Sequence, residues 1–327
     1  MTLGIGIIGY GVMGRTHGIA FGSLRRAGLP VEVVGVCAAR QGSAPAAVAA
    51  GNLEALRAGE EGVRTRFPGP EALLADARVG AVVIATWTES HVPLALAALA
   101  AGKHVLGEKP VALAAGEVER LAAAVPAGRV CMPAFCMRFW PGWPWLRDRI
   151  RDGTHGALRS LHLSRVGEPP GWAREFYRDP ARSGGALFDL HVHDADFVRW
   201  CLGDPASVRS AGTRSHLTTI YGYPGGPDQV VAEGGHIPVD GFGFRMRYRA
   251  VFEDAVAEFA HDGEPPLRLT RGGRAEPVEL PAGTAYEHQA RHFVEQCLGT
   301  ATEPLRATLA DAVAVTRVLE EEARQVG

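Results

Sequence analysis

The first half of the chain alternates between short apolar runs and segments with helical periodicity. Five continuous apolar runs have the length of strands buried on both faces, at residues 3–8, 31–37, 81–85, 103–106 and 130–134. A shorter strand is predicted over residues 63–67, and helical patterns lie at 14–27, 46–58, 71–77 and 92–101. Strands separated by helices predict an α/β fold with a doubly wound parallel sheet.

The second half changes to apolar residues at every other position, as in half-buried strands. Such segments are at 158–166, 206–213, 229–234, 242–252, 255–259 and 275–280, with helical patterns at 144–151, 286–298 and 305–325. This half predicts an α/β domain with an open, mainly antiparallel sheet. We place the first domain at 1–134 and the second at 135–304, and expect helix 305–325 to dock back on the first domain.

A glycine-rich turn joins the first predicted strand to the first helix. Its sequence is G-x-G-x-x-G, made by Gly9, Tyr10, Gly11, Val12, Met13 and Gly14. Gly9 allows the tight turn, Gly11 lets a pyrophosphate approach the backbone, and Gly14 lets the helix pack near the strand. The free N–H groups at the helix start then bind phosphates. The context favours dinucleotide binding over a purely structural turn.

The end of the second strand bears on the choice of cofactor. An acid there accepts hydrogen bonds from the ribose of NAD, but this chain has Ala38-Ala39-Arg40. Arg40 suits the 2′-phosphate of NADP, which favours NADP modestly over NAD. The alternative is an exposed loop arginine.

Lysine is rare in this chain. The 34 basic residues include only two lysines, Lys103 and Lys109. Lys109 lies in Glu108-Lys109-Pro110, directly after an apolar run, and an ammonium offers a compact donor that guanidinium does not. We therefore interpret Lys109 as functional, with Glu108 either tethering the loop or meeting the cofactor.

Several polar residues follow the predicted parallel strands at one edge of the sheet. Ligands bind at the carboxyl ends of such strands, where the Gly9 turn, Arg40, Thr86 and Lys109 all lie. His91 follows the same loop as Thr86, and either caps the next helix or touches the cofactor.

A second chemical motif lies in the second half, in a helical pattern that follows Gly184-Gly185. Asp189 and His193 are four residues apart and share a face of the predicted helix. A carboxylate beside an imidazole suits general acid–base chemistry near neutral pH. His191 and His193 point to different faces, which disfavours a shared metal, so we expect none.

Bulk properties exclude several classes of protein. The net charge of −2 predicts no binding of nucleic acid, and no apolar run is long enough to span a membrane. The sequence starts directly with a strand pattern instead of a leader, so we expect a cytoplasmic protein. The five cysteines are scattered and form no C-x-x-C pair, which predicts reduced thiols.

Together these motifs resemble the Gfo/Idh/MocA family of oxidoreductases (glucose–fructose oxidoreductase, inositol dehydrogenase and relatives). The resemblance covers nearly the whole chain and rests on the glycine-rich turn, Ala101–Val105 leading to Glu108-Lys109-Pro110, Met137-Arg138-Phe139, and Gly184-Gly185 followed by Asp189 and His193. It implies a Rossmann domain followed by an α/β domain, and a homodimer or homotetramer formed through the second sheet.

The resemblance also implies site roles. Lys109 would bind the substrate and orient the nicotinamide, His193 would accept a proton, and Asp189 would assist it or bind substrate. Thr86 and Trp87 are expected to contact the cofactor, and Trp87 stands where relatives often have Pro. Substrate contacts are assigned to Arg138, Arg165 and Trp172.

The implied activity is hydride transfer between NAD(P) and a secondary alcohol or carbonyl of a sugar, polyol or related small molecule. Two alternatives stay open. One is transient oxidation that ends in bond cleavage or isomerisation, and the other is a regulator that binds cofactor or sugar without turnover.

Overall fold

The computed structural model describes residues 2–37, 65–171, 176–177 and 179–327. The predicted helix 46–58, Arg40 and Trp172 therefore lie outside the described residues. The chain divides into two compact units, one of Met1–Cys136 with Gly283–Val313, the other of Met137–Ala282 with Ala314–Gly327.

The first unit is built on a five-stranded parallel sheet, which confirms the predicted fold class for this half. Its strands are β1 (Leu3–Ile8), β2 (Val31–Cys37), β3 (Ala81–Ile84), β4 (His104–Gly107) and β5 (Cys131–Pro133). They lie in the order β2-β1-β3-β4-β5. Residues of β1 and β3 are completely buried, as strands covered on both faces require.

The helices of this unit are α1 (Val12–Arg26), α2 (Pro70–Ala75), α3 (His91–Ala100), α4 (Ala115–Ala123) and α8 (Ala285–Leu298). Helix α4 was not predicted, although Ala115, Val118 and Leu121 form a buried face at helical spacing.

The predicted strand 63–67 is wrong for its described part. Arg66 makes only an isolated bridge to Val36, outside the named strands. The two segments lie close together here, since a Cβ at Gly35 would lie only 2.5 Å from the carbonyl oxygen of Thr65.

The second unit is built on an eight-stranded sheet that is mainly antiparallel, as predicted. Its strands are β6 (Leu158–Gly167), β7 (Ser207–Thr213), β8 (His216–Gly222), β9 (Gln229–His236), β10 (Phe244–Phe252), β11 (Val256–Ala260), β12 (Leu267–Arg271) and β13 (Arg274–Pro277). The order is β13-β12-β11-β10-β6-β9-β8-β7, and only β6 and β9 pair in parallel among these strands. Strands β8 and β12 were not predicted.

Helices of the second unit are α5 (Trp143–Asp152), α6 (Pro180–Ser183) and α7 (Val192–Leu202), the last preceded by a π-helical turn at Leu187–His191. The final helix α9 (Leu309–Gln325) contributes its residues from Ala314 onward to this unit. Its end is attached here, since the Gln325 Oε1 accepts from the backbone N–H of Ser210 at 2.8 Å. The residues of α9 up to Val313 belong to the first unit, and the docking of 305–325 on the first domain stays a prediction.

The helices that the structure describes contain none that is both long and apolar enough to cross a membrane.

Candidate active site

The glycine-rich turn in the first unit has the features that a dinucleotide requires. Gly9 has φ +90°, and a Cβ there would lie 2.5 Å from the carbonyl oxygen of Ala85. A Cβ at Gly14 would lie 2.0 Å from the carbonyl oxygen of Gly9, so both positions need glycine for the fold itself. At Gly11, by contrast, a Cβ would meet nothing within 4 Å in the part of the chain that the structure describes.

The space beside Gly11 adjoins the start of α1. Gly11 is the N-cap of this helix and makes no side-chain cap hydrogen bond, and the first turn carries no acid. The positive end of the helix dipole is therefore available to an anion. Gly11 and the N–H groups of Val12 and Met13 fit the pyrophosphate of a dinucleotide.

Two arginines bring positive charge to the face of Tyr10, beside this turn. The Arg15 guanidinium carbon lies 5.1 Å from the centre of its ring and that of Arg66 lies 6.0 Å away. Arg66 was not identified from the sequence, because only the bridge to Val36 at the end of β2 brings it to Tyr10.

The Glu108-Lys109-Pro110 segment follows β4 and is fixed by buried hydrogen bonds. Glu108 Oε1 lies 2.8 Å from His17 Nε2, and Glu108 Oε2 accepts from the Lys109 N–H at 3.1 Å. Burial alone raises the pKa of Glu108, but the hydrogen bond from His17 and the charges of His17 and Lys109 outweigh it and lower this pKa overall. Glu108 thus tethers the loop, one of its two predicted roles, while the Lys109 side chain is half-buried.

His91 joins this segment to the loop after β3. Its Nδ1 lies 2.8 Å from the carbonyl oxygen of Pro110, and its Nε2 lies 3.1 Å from that of Thr86. Burial lowers the pKa of His91, against the opposing effect of these two carbonyl groups. With a lowered pKa the ring is neutral and carries one N–H, so it donates to one of these two carbonyl groups while lying against both loops, a role not predicted from the sequence.

The two other predicted residues of this loop, Thr86 and Trp87, have different surroundings. Thr86 Oγ1 accepts from the Ser90 hydroxyl at 2.6 Å, whereas Trp87 is 46% exposed.

The other lysine, Lys103, donates from Nζ to the carbonyl oxygens of Val79 at 2.7 Å and Asp76 at 3.1 Å. Lys103 therefore has a structural role.

In the second unit, Asp189 lies in the π-helical turn and His193 in the first turn of α7, and both are buried. The π turn means that the simple i, i+4 geometry assumed for them does not apply throughout. Asp189 Oδ2 lies 3.3 Å from Nε2 of His236, at the end of β9. The Tyr177 hydroxyl lies 3.5 Å from Asp189 Oδ1. His236 was not identified from the sequence, since only strand pairing brings it here.

His191 belongs to a separate, completely buried cluster. Its Nε2 lies 3.1 Å from the Tyr221 hydroxyl, which donates to Glu322 Oε1 at 2.7 Å. Burial lowers the pKa of His191, but the nearby Glu322 carboxylate outweighs this and raises it overall. The described residues contain no group of three or more His, Cys, Asp or Glu side chains arranged to hold a metal.

Arg138 and Arg165 occupy positions that differ from the substrate contacts predicted for them. Both guanidinium groups are almost completely buried, with Arg138 Nη2 2.6 Å from Asp196 Oδ1 and Arg165 Nη2 2.9 Å from Asp194 Oδ1. Each arginine also donates through Nε to the same carboxylate. Such bidentate pairs satisfy the arginines within the second unit, so the structure favours a structural role for both.

Comparison with known proteins adds two family matches. A family model described as "Oxidoreductase family, NAD-binding Rossmann fold" matches residues 3–135, and one described as "GFO/IDH/MocA C-terminal domain" matches residues 144–236. In chain order, the first match lies in the first unit and the second in the second unit, and together they cover residues 3–135 and 144–236.

Among similar curated proteins, an inositol 2-dehydrogenase of Paracoccus denitrificans is 32% identical over 210 residues, 62% of this chain and 55% of that protein. A 1,5-anhydro-D-fructose reductase of Ensifer adhaerens is 34% identical over 236 residues, 69% of this chain and 66% of that protein. The matched segments thus span less than two thirds of these relatives.

Solved structures share the fold over the full length. A levoglucosan dehydrogenase in complex with NADH and levoglucosan superposes with a TM-score of 0.81 at 20% identity, covering 99% of this chain and 98% of that one. A UDP-N-acetylglucosamine 3-dehydrogenase of Acidithiobacillus ferrooxidans gives a TM-score of 0.74 at 22% identity, covering 100% and 98%. At these identities, the likeness shows the fold alone.

Proposed function

This chain belongs to the Gfo/Idh/MocA family of oxidoreductases, and on that premise we propose that it is an NAD(P)-dependent dehydrogenase or reductase. It would transfer hydride between the nicotinamide and a secondary alcohol or carbonyl of a sugar, polyol or related small molecule. The named activities of its relatives, on inositol and on anhydrofructose, support this substrate class.

The glycine-rich turn is the observation that carries this proposal. Gly9 and Gly14 are required by close backbone contacts of the fold, but a Cβ at Gly11 would meet no atom of the described residues within 4 Å. That space adjoins an uncapped helix start, which suits the two phosphates of a dinucleotide. When bound, the nicotinamide supplies the hydride acceptor or donor.

The chain's own residues would then manage the proton and the charge. His193 takes the hydroxyl proton in the oxidation direction and returns it in reduction. Lys109 donates a hydrogen bond to the reacting oxygen and stabilises its developing charge. Asp189 assists His193 or accepts from a substrate hydroxyl.

For the cofactor, we favour NADP over NAD. The chain lacks an acid after β2, and the Arg66 guanidinium adds positive charge near that strand end. Glu71 opposes this preference, because it places a negative charge near Cys37, the last residue of β2. Burial is the main cause of the raised pKa of the Cys37 thiol, and the charge of Glu71 is the second cause. Fluorescence titration with NADPH and NADH measures the balance, and Arg66→Ala should weaken NADPH binding more than NADH binding. Tighter binding of NADH to the wild-type protein would refute the preference.

A screen of polyols and aldoses with NAD and NADP in parallel, followed by absorbance at 340 nm, tests the activity. We expect turnover with at least one alcohol, and loss of turnover in both Lys109→Ala and His193→Ala. Nucleotide binding should survive in His193→Ala. Full turnover in either variant would refute the assigned roles. Tightly retained cofactor, with product formed but no net change at 340 nm, would instead indicate transient oxidation.

We also propose a homodimer or homotetramer that forms through the sheet of the second unit. One face of this sheet carries an open depression of about 610 Å³ lined by charged side chains of neighbouring strands, including Glu233, Arg247 and Glu258. Light scattering should show more than one copy per particle, and a monomer at micromolar concentration would contradict the proposal.

A further inference from the structure

We propose that His236 is a positioning residue of the reaction site, which holds the Asp189 carboxylate in one orientation through an Nε2–H···Oδ2 hydrogen bond; this inference rests on the proposed function. The two atoms lie 3.3 Å apart, and the side chains are only 7% and 10% exposed. Neither the family matches nor the sequence motifs point to this histidine.

The end of β9 is shaped to receive the turn that carries Asp189. A Cβ at Gly234 would lie 2.7 Å from Cβ and 3.0 Å from Nδ1 of His191. Only glycine at 234 therefore lets the π-helical turn lie directly against the strand. Because Asp189 precedes His191 by two residues in that turn, the same approach brings its carboxylate to the His236 ring.

Both partners of the contact are independently fixed. The backbone N–H of His236 donates to the carbonyl oxygen of Ser215 at 2.8 Å, which holds the strand end in register. On the other side, His191 is held by the Tyr221 hydroxyl at 3.1 Å within a fully buried cluster. The position of Asp189 relative to His236 is thus set by the fold of the second unit.

The His236 ring has little freedom to leave Asp189. The Tyr177 ring packs against it edge-on, with centroids 5.8 Å apart and an angle of 86° between the planes. The Tyr177 hydroxyl is at the limit of hydrogen bonding, 3.5 Å from Asp189 Oδ1. His236 therefore engages Oδ2 and the Tyr177 hydroxyl lies beside Oδ1, so neighbouring side chains restrain both oxygens of the carboxylate.

A buried carboxylate needs such a donor for two reasons. Burial without a hydrogen bond disfavours the charged form, and an unrestrained carboxylate samples orientations that misplace the group it serves. A histidine N–H aimed at one oxygen meets both needs, in the way that carboxylate–histidine pairs orient the ligands of metal sites. His236 thus acts through Asp189 and need not contact the reacting atoms.

The test compares His236→Leu, His236→Gln and a control, His216→Gln, in the full-length protein. His216 is an exposed histidine of the same sheet, 2.9 Å from the Glu233 carboxylate. With the best alcohol from the screen, we expect His236→Leu to lower kcat by about 10- to 100-fold, the range found when a hydrogen-bonding partner of a metal-ligating side chain is lost. His236→Gln, which keeps an N–H donor, should recover much of this loss, while His216→Gln stays near wild type.

Nucleotide affinity provides a readout that a general folding defect would change. All three variants should bind NAD(P)H within about twofold of the wild-type Kd, because His236 belongs to the second unit and acts on kcat. Unchanged kcat in His236→Leu would overturn the proposal. So would an equal loss in His236→Leu and His236→Gln, which indicates packing alone.

A measurement that needs no turnover separates this inference from the proposed activity. ¹⁵N NMR of histidine-labelled protein reports which ring nitrogen carries the proton, with the His236 signals identified by their loss in His236→Gln. We expect Nε2 to be protonated, and Asp189→Asn to move these signals. Their failure to move overturns the inference. Absence of turnover with every alcohol refutes the proposed function, and the NMR result still decides the pair.

Discussion

The buried pair of His17 and Glu108 should be the most sensitive electrostatic contact of the first unit. The perturbation is His17→Leu, which keeps a similar volume and removes the nitrogen that lies 2.8 Å from Glu108 Oε1. The side chains of His17 and Glu108 are 1% and 7% exposed, so water does not replace the lost partner. The carboxylate then keeps only the N–H of Lys109, at 3.1 Å.

The loss of stability in His17→Leu depends on whether the Glu108 carboxylate stays charged or takes up a proton. Removal of one partner of a buried pair typically costs about 3–5 kcal/mol, unless the remaining group neutralises. Taking up a proton limits the cost to about 1.4 kcal/mol per pH unit above the carboxyl's solution pKa of 4.5. The ceiling on the charge contribution is thus about 3 kcal/mol at pH 7 and under about 1 kcal/mol at pH 5.

The two proteins should therefore respond to pH in opposite directions. In the wild type the pKa of folded Glu108 is lowered, so its stabilising contribution is present above pH 4.5 and is lost as the pH falls through the folded value. In His17→Leu burial is less opposed and raises this pKa. The carboxyl then destabilises the fold increasingly as the pH rises above 4.5.

Hydrogen exchange of peptides from β1 and β4, followed by mass spectrometry, measures the opening free energy of this unit. We expect His17→Leu to lower it by about 3 kcal/mol at pH 7 and clearly less at pH 5. The matched control is Arg120→Leu, which removes the basic partner 3.5 Å from the exposed Glu117 and should cost under about 0.5 kcal/mol. A loss below about 1 kcal/mol at pH 7, or the same loss at both pH values, would refute the reasoning.

Three further predictions concern glycines, a buried histidine and a buried ion pair. Gly14→Ala places a Cβ 2.0 Å from a backbone oxygen and should impair both stability and nucleotide binding. Gly11→Ala places its Cβ more than 4 Å from every atom of the described residues, and should weaken only NAD(P)H binding in a fluorescence titration. Burial lowers the pKa of His292 to about 4, so the free energy of unfolding should fall by up to about 3 kcal/mol as the pH falls from 6.5 towards 4. In urea unfolding, the His292→Gln variant should not show this pH-dependent decrease. Asp194→Asn leaves the buried Arg165 guanidinium without its ion-pair partner and should destabilise the second unit by about 3–5 kcal/mol in urea, with the nucleotide Kd unchanged.

Each of these has a direct control or a contrary outcome. For Asp194→Asn the control is Asp262→Asn, which breaks an exposed pair with Arg247 at 3.1 Å and should cost under about 1 kcal/mol. Equal losses of NAD(P)H binding in Gly11→Ala and Gly14→Ala, with equal stability, would contradict the inference that the fold requires Gly14 and the nucleotide requires Gly11. An unchanged acid-side slope in His292→Gln would assign the pH dependence to other groups.

Local patterns predicted much of the architecture. The alternation of apolar runs and helices indicated the parallel sheet, and period-two segments indicated the antiparallel one, because burial on one or two faces repeats in the sequence. Spacing also predicted the glycine-rich turn, since its backbone needs are local. The apolar pattern missed β8 and β12 and wrongly predicted a strand at 63–67, because pairing with neighbouring strands decides whether short segments become strands.

The sequence by itself predicted which residue types would carry the chemistry, and the tertiary structure decided what those residues contact. Lys109 was identified by its rarity and its position after a strand, yet the contacts of its segment with His17 and His91 depend on residues distant in the chain. Arg138 and Arg165 illustrate the reverse case, because no sequence pattern shows that each guanidinium meets a buried aspartate. Hydrogen bonds and ion pairs act over about 3 Å, and such distances between remote residues exist only once the sheets have assembled.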